Sequence, residues 1–216
     1  MKLSGFRNVF YHGRSSDEWL PVFLFKSARF LLKNKKIYAQ KNARIRGAKN
    51  ISTDGELLVG MRFVGFMDSS DKTIINVRGK LHFKGDFSIG KGCRFDIGPD
   101  AVAQIGKDGY ITANTIFIIM NGITIGDNCA ISWNCMFLDD DFHQLEFDGK
   151  QERTDLKIEI GNKVWIGCNT TIYKGAKIPD GCVVAADSVV KTAFTEKNAL
   201  IGGNPARIIK SDVRWS

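Results

Sequence analysis

The sequence predicts an all-β chain that coils as a parallel β-helix. Two spacings carry this prediction. Every sixth residue from 160 to 190 is isoleucine or valine, and the residue four positions later is usually small or β-branched. Six is a multiple of the two-residue strand period but does not match the 3.6-residue helix period, so the large residues share one face of successive short strands. The inward residues are Ile160, Ile166, Ile172, Ile178, Val184 and Val190.

The same step of six appears earlier in the chain, as hexapeptide repeats of a β-helix require. Stacked coils bury a continuous apolar column that no single repeat could bury alone. Between Ile97 and Ile123 the step is lost, and we expect irregular coils or a short loop there. The earlier runs are Val77, Phe83, Ile89 and Phe95; Ile125, Ile131 and Phe137; and, more faintly, Ile45, Ile51, Leu57 and Phe63.

The cysteines fit the repeat as small inward-facing residues. Their odd number and the lack of a Cys-x-x-Cys pair argue against a disulfide framework and against a zinc site, so no metal is predicted. Free thiols favour a reducing cytoplasm. Four cysteines occupy the small position, and only Cys168 falls outside it. These four are Cys93, Cys129, Cys135 and Cys182.

The repeat divides the chain into three parts. Residues 1–42 are expected to form an N-terminal cap, residues 43–197 the β-helix with a loop excursion at 138–157, and residues 198–216 a C-terminal extension. Within the first part, Trp19 to Leu32 has the pattern of a basic amphipathic helix. The favoured role is a cap on the open end of the solenoid. The alternative is contact with an anionic membrane surface, and the two roles are compatible.

The net charge of +8 favours anionic partners. No nucleic-acid-binding motif is visible, so nucleic acid is not predicted as a partner. The chain has no secretory signal and no run of about 18 apolar residues, so a cytoplasmic protein without a transmembrane helix is expected.

The repeat stops after Phe137 and resumes at Ile158, leaving a loop of about twenty residues. Long loops inside regular folds are usually functional or disordered. This one contains His143, one of three histidines in the chain. Without further context, an acidic solvated loop with an incidental histidine would be an equally good interpretation.

Two segments, residues 158–167 (IEIGNKVWIG) and 201–210 (IGGNPARIIK), resemble the hexapeptide-repeat O-acetyltransferases. The resemblance covers residues 77–210 and is closest to the maltose/galactoside and polysaccharide O-acetyltransferase branch. It implies a left-handed β-helix, a homotrimer, and active sites between neighbouring subunits. It also implies acetyl-CoA as the donor and His143 as the base that deprotonates the acceptor hydroxyl. Gln144 follows His143 here, where the family often has proline.

The resemblance further assigns contacts to acetyl-CoA. The contacts to the CoA phosphates are expected to differ from those of the family, because Thr192 stands where the family commonly has a basic residue. An acceptor sugar is expected at Asn114 and Asn134. The matching donor contacts are Cys168, Ala186, Lys191, Arg207 and Lys210. Trp165 is expected to border the thioester cleft, and the small Ala185 to let the pantetheine arm approach the backbone. A packed coil face for Trp165 and a solvated surface for the basic residues are the alternatives.

Asp141 is expected to orient the His143 imidazole. In an extended segment, residues two apart share a face, and a carboxylate stabilises a charged imidazole. Asp139 and Asp140 are rivals for this role, and a solvent-exposed role for any one of the three is an equally good interpretation.

The predicted function is O-acetylation of a saccharide in capsule, exopolysaccharide or O-antigen assembly. One alternative is N-acylation of an amino sugar or a nucleotide-linked amino sugar, although no Gly-x-Gly-x-x-Gly motif precedes the repeat. A second alternative is a non-enzymatic structural or binding solenoid. A nucleophilic Cys168 would need His143 beside it.

Overall fold

In the computed structural model, which describes residues 20–144, 146–151 and 156–216, the chain winds into a left-handed parallel β-helix. Each full coil contributes one strand to each of three sheets, so the solenoid is a three-sided prism. Neighbouring strands are parallel and in register, except in two antiparallel hairpins. The hexad therefore corresponds to one side of the prism.

Sheet 1 opens each coil and ends in the C-terminal hairpin. Its strands are β1 (Ile37–Ala39), β4 (Leu57–Met61), β7 (Phe87–Gly90), β10 (Gly109–Ile111), β13 (Ala130–Ile131), β18 (Trp165–Ile166), β21 (Val183–Val184), β23 (Leu200–Gly203) and β24 (Ala206–Lys210). Sheet 2 comprises β2 (Arg44–Arg46), β5 (Ile74–Val77), β8 (Arg94–Ile97), β11 (Ile116–Ile119), β14 (Met136–Leu138), β19 (Thr171–Tyr173) and β22 (Val189–Val190). Sheet 3 comprises β3 (Ile51–Thr53), β6 (Lys80–Phe83), β9 (Val102–Ile105), β12 (Gly122–Ile125), β17 (Ile158–Ile160) and β20 (Lys177–Ile178). A small hairpin of β15 (Glu146–Phe147) and β16 (Lys150–Gln151) lies within the excursion.

The six inward residues predicted from 160 to 190 are all buried, which confirms the repeat. Aromatic residues continue the same column in the middle coils. The Phe117 ring stacks on Phe95 with centroids 4.4 Å apart and on Phe137 with centroids 4.2 Å apart. Stacking in successive coils therefore builds one continuous core.

The irregular spacing of inward residues in the middle of the chain arises at one corner of the coils. Where the chain passes from sheet 1 to sheet 2, the spacing between inward residues is still six, as from Ile89 to Phe95. From sheet 2 to sheet 3 the step lengthens to ten from Phe95 to Ile105 and to eight from Phe117 to Ile125. The coils keep regular strands, and only the corner between sheets 2 and 3 takes the extra residues. The excursion leaves from this same corner.

The extension of the first faint run to Phe63 is wrong. Phe63 is 40% exposed and belongs to a loop over residues 62–73. The strand pairing shifts between Val59 and Met61, around Gly60 at φ +86°, and this irregularity ends the repeat before residue 63. The loop leaves the corner between sheets 1 and 2.

Helix α1 (Leu20–Leu31) covers the N-terminal end of the solenoid. Phe23 packs against Tyr38 in a small cluster, and Phe30 joins the main core. The short helix expected in the N-terminal segment is therefore present, and it packs on the first coil, whereas Trp19 lies outside the described residues. Strand β1 precedes residue 43 and strand β23 follows residue 197, so sheet 1 extends beyond the expected limits of the solenoid at both ends.

Among the described residues, no helix is long and apolar enough to span a membrane.

Candidate active site

The corner between sheets 1 and 2, here the 1–2 corner, aligns several of the predicted site residues. Asn114 follows β10, Asn134 follows β13, and Cys168 follows β18. Ala185 and Ala186 follow β21, which pairs with β18. These positions fall in successive coils, and paired strands lie about 4.8 Å apart. The structure therefore places the expected acceptor contacts and part of the expected donor contacts along one edge.

The asparagines of this edge also have a backbone role. Asn114 and Asn134 adopt left-handed conformations with φ of 53° and 57°. Asn169 and Asp187 repeat the conformation in later coils, and Asn169 Nδ2 donates to Asp187 Oδ1 at 3.0 Å. Asparagine and aspartate enter this region at low cost. The Asn114 and Asn134 side chains nevertheless stay exposed and open to a ligand.

The donor side of the 1–2 corner is lined by short side chains. Cys168 is half-buried and Ala186 is exposed. A Cβ added at Gly167 would come within 2.5 Å of the Ala186 backbone nitrogen, so these two coils pack too closely for a larger residue there. The surface at this edge therefore consists mainly of backbone and short side chains.

Trp165 lies on the outer face of sheet 1 and is 42% exposed. Its Nε1 donates to Ser132 Oγ at 3.3 Å, which fixes the indole against the preceding coil. The Trp215 ring lies 6.2 Å away, and its own Nε1 donates to the Lys163 carbonyl oxygen at 2.9 Å. The C-terminal tail therefore extends the aromatic surface beside Trp165.

The three predicted phosphate contacts are exposed but not all adjacent. Arg207 and Lys210 lie on β24, which pairs with β23 at the C-terminal end of sheet 1. Lys191 follows β22 in sheet 2, on the side that leads to sheet 3. The structure thus brings Arg207 and Lys210 onto one strand and places Lys191 on another side of the prism.

The excursion that carries His143 begins at the corner between sheets 2 and 3, here the 2–3 corner. Its first residues are bonded both to the preceding coil and to the following coil. The buried Asp139 carboxylate accepts backbone N–H groups from Met120 at 2.6 Å and from Asn121 at 2.9 Å. It also accepts the Gly122 N–H at 2.6 Å. These donors all belong to the preceding coil.

Burial raises the pKa of the Asp139 carboxyl, and its three backbone hydrogen bonds oppose that rise. The carboxyl is committed to the corner backbone, so it is poorly placed to orient His143.

Asp141 anchors the excursion to the following coil. Its Oδ2 lies 2.5 Å from Lys174 Nζ, and the lysine side chain is only 11% exposed. This ion pair occupies the carboxylate that was expected to orient the imidazole. Asp140 instead accepts the Phe142 N–H at 2.6 Å. The role of Asp141 toward His143 stays a prediction.

His143 itself is exposed and directly follows a strained residue. Phe142 has φ 58°, a conformation that is uncommon for a bulky side chain, and its ring is 59% exposed. Such strain tends to occur at functional sites. Within the described residues, no hydrogen bond to the His143 imidazole is present.

His143 lies on the excursion from the 2–3 corner. The 1–2 corner is instead lined by Asn114, Asn134, Cys168 and Ala186. Within the described part of one protomer, no hydrogen bond, ion pair or ring contact joins the two groups. A Cys168 nucleophile with His143 beside it is therefore not supported within a protomer.

An aromatic surface on the 1–2 side was not predicted from the sequence. The Phe63 ring stacks on Tyr110 at 5.8 Å, and the Phe66 ring meets Trp133 edge-on at 5.9 Å. Both phenylalanines come from the loop at 62–73, and Trp133 immediately precedes Asn134. The end of the repeat after Leu57 could have indicated this loop. The interpretation of Phe63 as an inward residue hid that signal.

Comparisons with known proteins agree with this fold. Residues 157–192 match the family model of bacterial transferase hexapeptide (six repeats), and residues 102–136 match that of the hexapeptide repeat of succinyl-transferase. The chain is 40% identical over 205 residues to an uncharacterized 24.8 kDa protein in the cps region of Klebsiella pneumoniae, with 94% of this chain and 91% of that protein covered. It is 34% identical over 110 residues to the galactoside O-acetyltransferase of Escherichia coli strain K12, with 50% and 53% covered.

Solved structures share the fold at lower identity. The polysialic acid O-acetyltransferase OatWY superimposes with a TM-score of 0.59 at 24% identity, covering 83% of this chain and 90% of that one. AntD, an N-acyltransferase from Bacillus cereus crystallised with dTDP and 3-hydroxybutyryl-CoA, gives a TM-score of 0.57 at 21% identity, covering 88% and 89%.

The prism of hexapeptide coils is a fold that this chain shares with these acyl-transferring enzymes. The chain belongs to the hexapeptide-repeat O-acetyltransferase family and is an acyltransferase.

Proposed function

We propose that this protein transfers an acetyl group from acetyl-CoA to a hydroxyl of a saccharide, with His143 as the general base. The observation that carries the proposal is the 1–2 corner, where acceptor-type and donor-type positions follow one another in consecutive coils. The name of the Escherichia coli relative, a galactoside O-acetyltransferase, supports a sugar hydroxyl as the acceptor. Assembly of capsule, exopolysaccharide or O-antigen is the process we propose for it.

Each chemical step needs little from the protein beyond position and one proton transfer. His143 removes the proton from the acceptor hydroxyl as the oxygen attacks the thioester carbonyl. The C–S bond then breaks, and the protonated imidazole returns its proton to the leaving thiolate. General base catalysis by a positioned histidine contributes roughly 10²–10⁴-fold. Holding both reactants in place contributes the larger part.

Residues of the 1–2 corner fit acetyl-CoA. Cys168, Ala185 and Ala186 leave the backbone accessible to the pantetheine arm, and Trp165 borders the thioester. Arg207 and Lys210 would hold the phosphates through charge-assisted contacts. Lys191 lies on another side of the prism and would reach the phosphates only from a neighbouring subunit.

We further propose a homotrimer in which each active site lies between two subunits. The base and the donor positions occupy different corners of one protomer, so a neighbouring copy is needed to bring His143 to the groove. A threefold arrangement lets every excursion face the 1–2 corner of the next subunit.

The aromatic surface near Asn114 and Asn134 supports a saccharide as the acceptor. Tyr110 and Trp133 combine an apolar ring with a polar group, and such rings suit ligands with one apolar face and a hydroxylated edge. The two phenylalanines of the 62–73 loop widen this surface.

The proposal is tested by incubating the protein with acetyl-CoA and a panel of sugars while thiol release is measured. We expect turnover with at least one sugar hydroxyl and a fall of about 10²–10⁴-fold in the His143→Ala variant. Light scattering should give the trimer mass for both proteins. Unchanged turnover in the variant would remove His143 from the mechanism.

Parallel reactions with amino sugars separate O-acetylation from N-acylation. Turnover confined to amine acceptors would replace the proposal with the alternative. We place the reaction in the cytoplasm, because the five cysteines are free and such thiols persist in a reducing compartment.

A further inference from the structure

The positive charge of this protein is concentrated at one end of the solenoid. Residues 20–50 contain nine lysines and arginines and no aspartate or glutamate. Residues 51–216 contain 19 basic and 21 acidic residues, so the rest of the solenoid is almost neutral. The nine basic residues are Lys26, Arg29, Lys33, Lys35, Lys36, Lys41, Arg44, Arg46 and Lys49.

Helix α1 at this end has two different faces. Phe23, Ser27 and Phe30 are buried against the solenoid. The opposite stripe, spaced by the same four and three residues, consists of Phe25, Arg29 and Leu32. Phe25 is 81% exposed and Leu32 is 73% exposed. The helix therefore caps the coil with one face and presents large apolar side chains beside a guanidinium on the other.

A cationic hollow lies next to this outer face. A cavity of about 420 Å³ between the end of α1 and the first coil is lined by Arg29, Lys33, Lys35 and Lys49, together with apolar residues. The Lys35 ammonium group donates to the carbonyl oxygens of Ala48 and Ile51 at 2.5 Å each, which holds its charge in the hollow.

We propose that this end of the solenoid, formed by the outer face of α1 and the hollow beside it, docks on the surface of an anionic phospholipid bilayer. Phe25 and Leu32 would enter the interface between headgroups and acyl chains, and the exposed Arg29, Lys33 and Lys49 would face the lipid phosphates. The charge complementarity selects an anionic surface, and the exposed apolar residues select a bilayer over a purely polar polyanion. The docking does not depend on acetyl transfer, but it would bring a lipid-linked saccharide to the enzyme.

Flotation of the full-length protein with vesicles tests the proposal. One set of vesicles contains phosphatidylcholine alone, and the other contains about one quarter phosphatidylglycerol. We expect binding to the second set only, and its loss at roughly 0.5 M NaCl, where screening shortens the range of the attraction. Equal binding to both sets, or to neither, overturns the proposal.

Variants locate the surface. Each lysine or arginine near an anionic membrane contributes about fivefold to binding, so the double charge reversal of Arg29→Glu and Lys33→Glu should weaken binding by more than 25-fold. The matched control, Lys84→Glu with Lys107→Glu, makes the same change in net charge at mid-solenoid positions and should leave binding within about twofold. Equal losses in both double variants would show a non-specific effect of net charge and refute the assigned surface.

The apolar contribution is measured separately with Phe25→Ser and Leu32→Ser, which change only exposed side chains. Binding should fall by at least about tenfold, because each buried side chain of this size contributes more than 1 kcal/mol. Light scattering of the same double variant measures its oligomeric mass and so separates a loss of lipid binding from a loss of subunit contact. A reduced oligomeric mass would show that this face contacts another copy of the chain and would overturn the proposal.

Discussion

Asp139 holds the base of the excursion, and its removal should affect both stability and activity. The carboxylate accepts three backbone N–H groups from the preceding coil at 2.6–2.9 Å. Hydrogen bonds to a charged group contribute about 1.5–3 kcal/mol each, but burial of the carboxyl offsets part of the sum. We expect Asp139→Ala to lower the free energy of unfolding by about 3 kcal/mol.

Urea denaturation followed by circular dichroism measures this change, with protomer concentration held constant because subunit association affects the midpoint. Asp140→Ala is the matched control. It removes a neighbouring carboxylate that accepts only the local Phe142 N–H and should cost no more than about 1 kcal/mol. Activity should fall about ten- to a hundredfold in Asp139→Ala, since a base displaced by about 1 Å loses that much. Equal urea midpoints for the two variants would refute the assignment of Asp139 as the anchor.

Further outcomes follow from the same geometry. Lys174→Met should free Asp141 and lower kcat several-fold while the KM for acetyl-CoA stays constant, as steady-state kinetics would show; an unchanged kcat would mean that the ion pair does not position the excursion. Phe66→Ala should raise the KM for the saccharide and not that for acetyl-CoA, and the idea fails if both constants rise together. Phe117→Ala removes the middle ring of a buried stack and should cost about 3–5 kcal/mol in urea denaturation; a loss below about 1 kcal/mol would contradict the close packing. Ala186→Trp should weaken acetyl-CoA binding in calorimetry more than tenfold without changing the melting temperature, and full affinity would place the pantetheine arm elsewhere.

The spacing of inward residues was sufficient to predict the coils because each strand buries every second residue and each side of the prism takes six. The prediction from spacing failed where backbone geometry, rather than side-chain type, determines the course of the chain. Phe63 has the right residue type and spacing for an inward position, but the bulge around Gly60 releases the chain into a loop. The step lost after Ile97 is a longer corner, which hydrophobic spacing alone cannot distinguish from an irregular coil.

Sequence position did not predict how the residues of the candidate site are arranged in space. Sequence position made Asp141 the natural partner of His143, because the two lie two residues apart. The folded chain instead places Lys174, more than thirty residues away, against Asp141. Likewise, the aromatic surface depends on Phe66 meeting Trp133 across a loop and several coils, a contact that no local spacing encodes.

By itself, the sequence determined that this chain is a hexapeptide solenoid with a capping helix and a single histidine-bearing excursion, because periodic burial is a property of residues close together along the chain. Only the tertiary structure decided which corner each site residue occupies. That assignment depends on how many residues each corner absorbs, so His143 and Asn134, nine residues apart in sequence, lie on different edges of the prism.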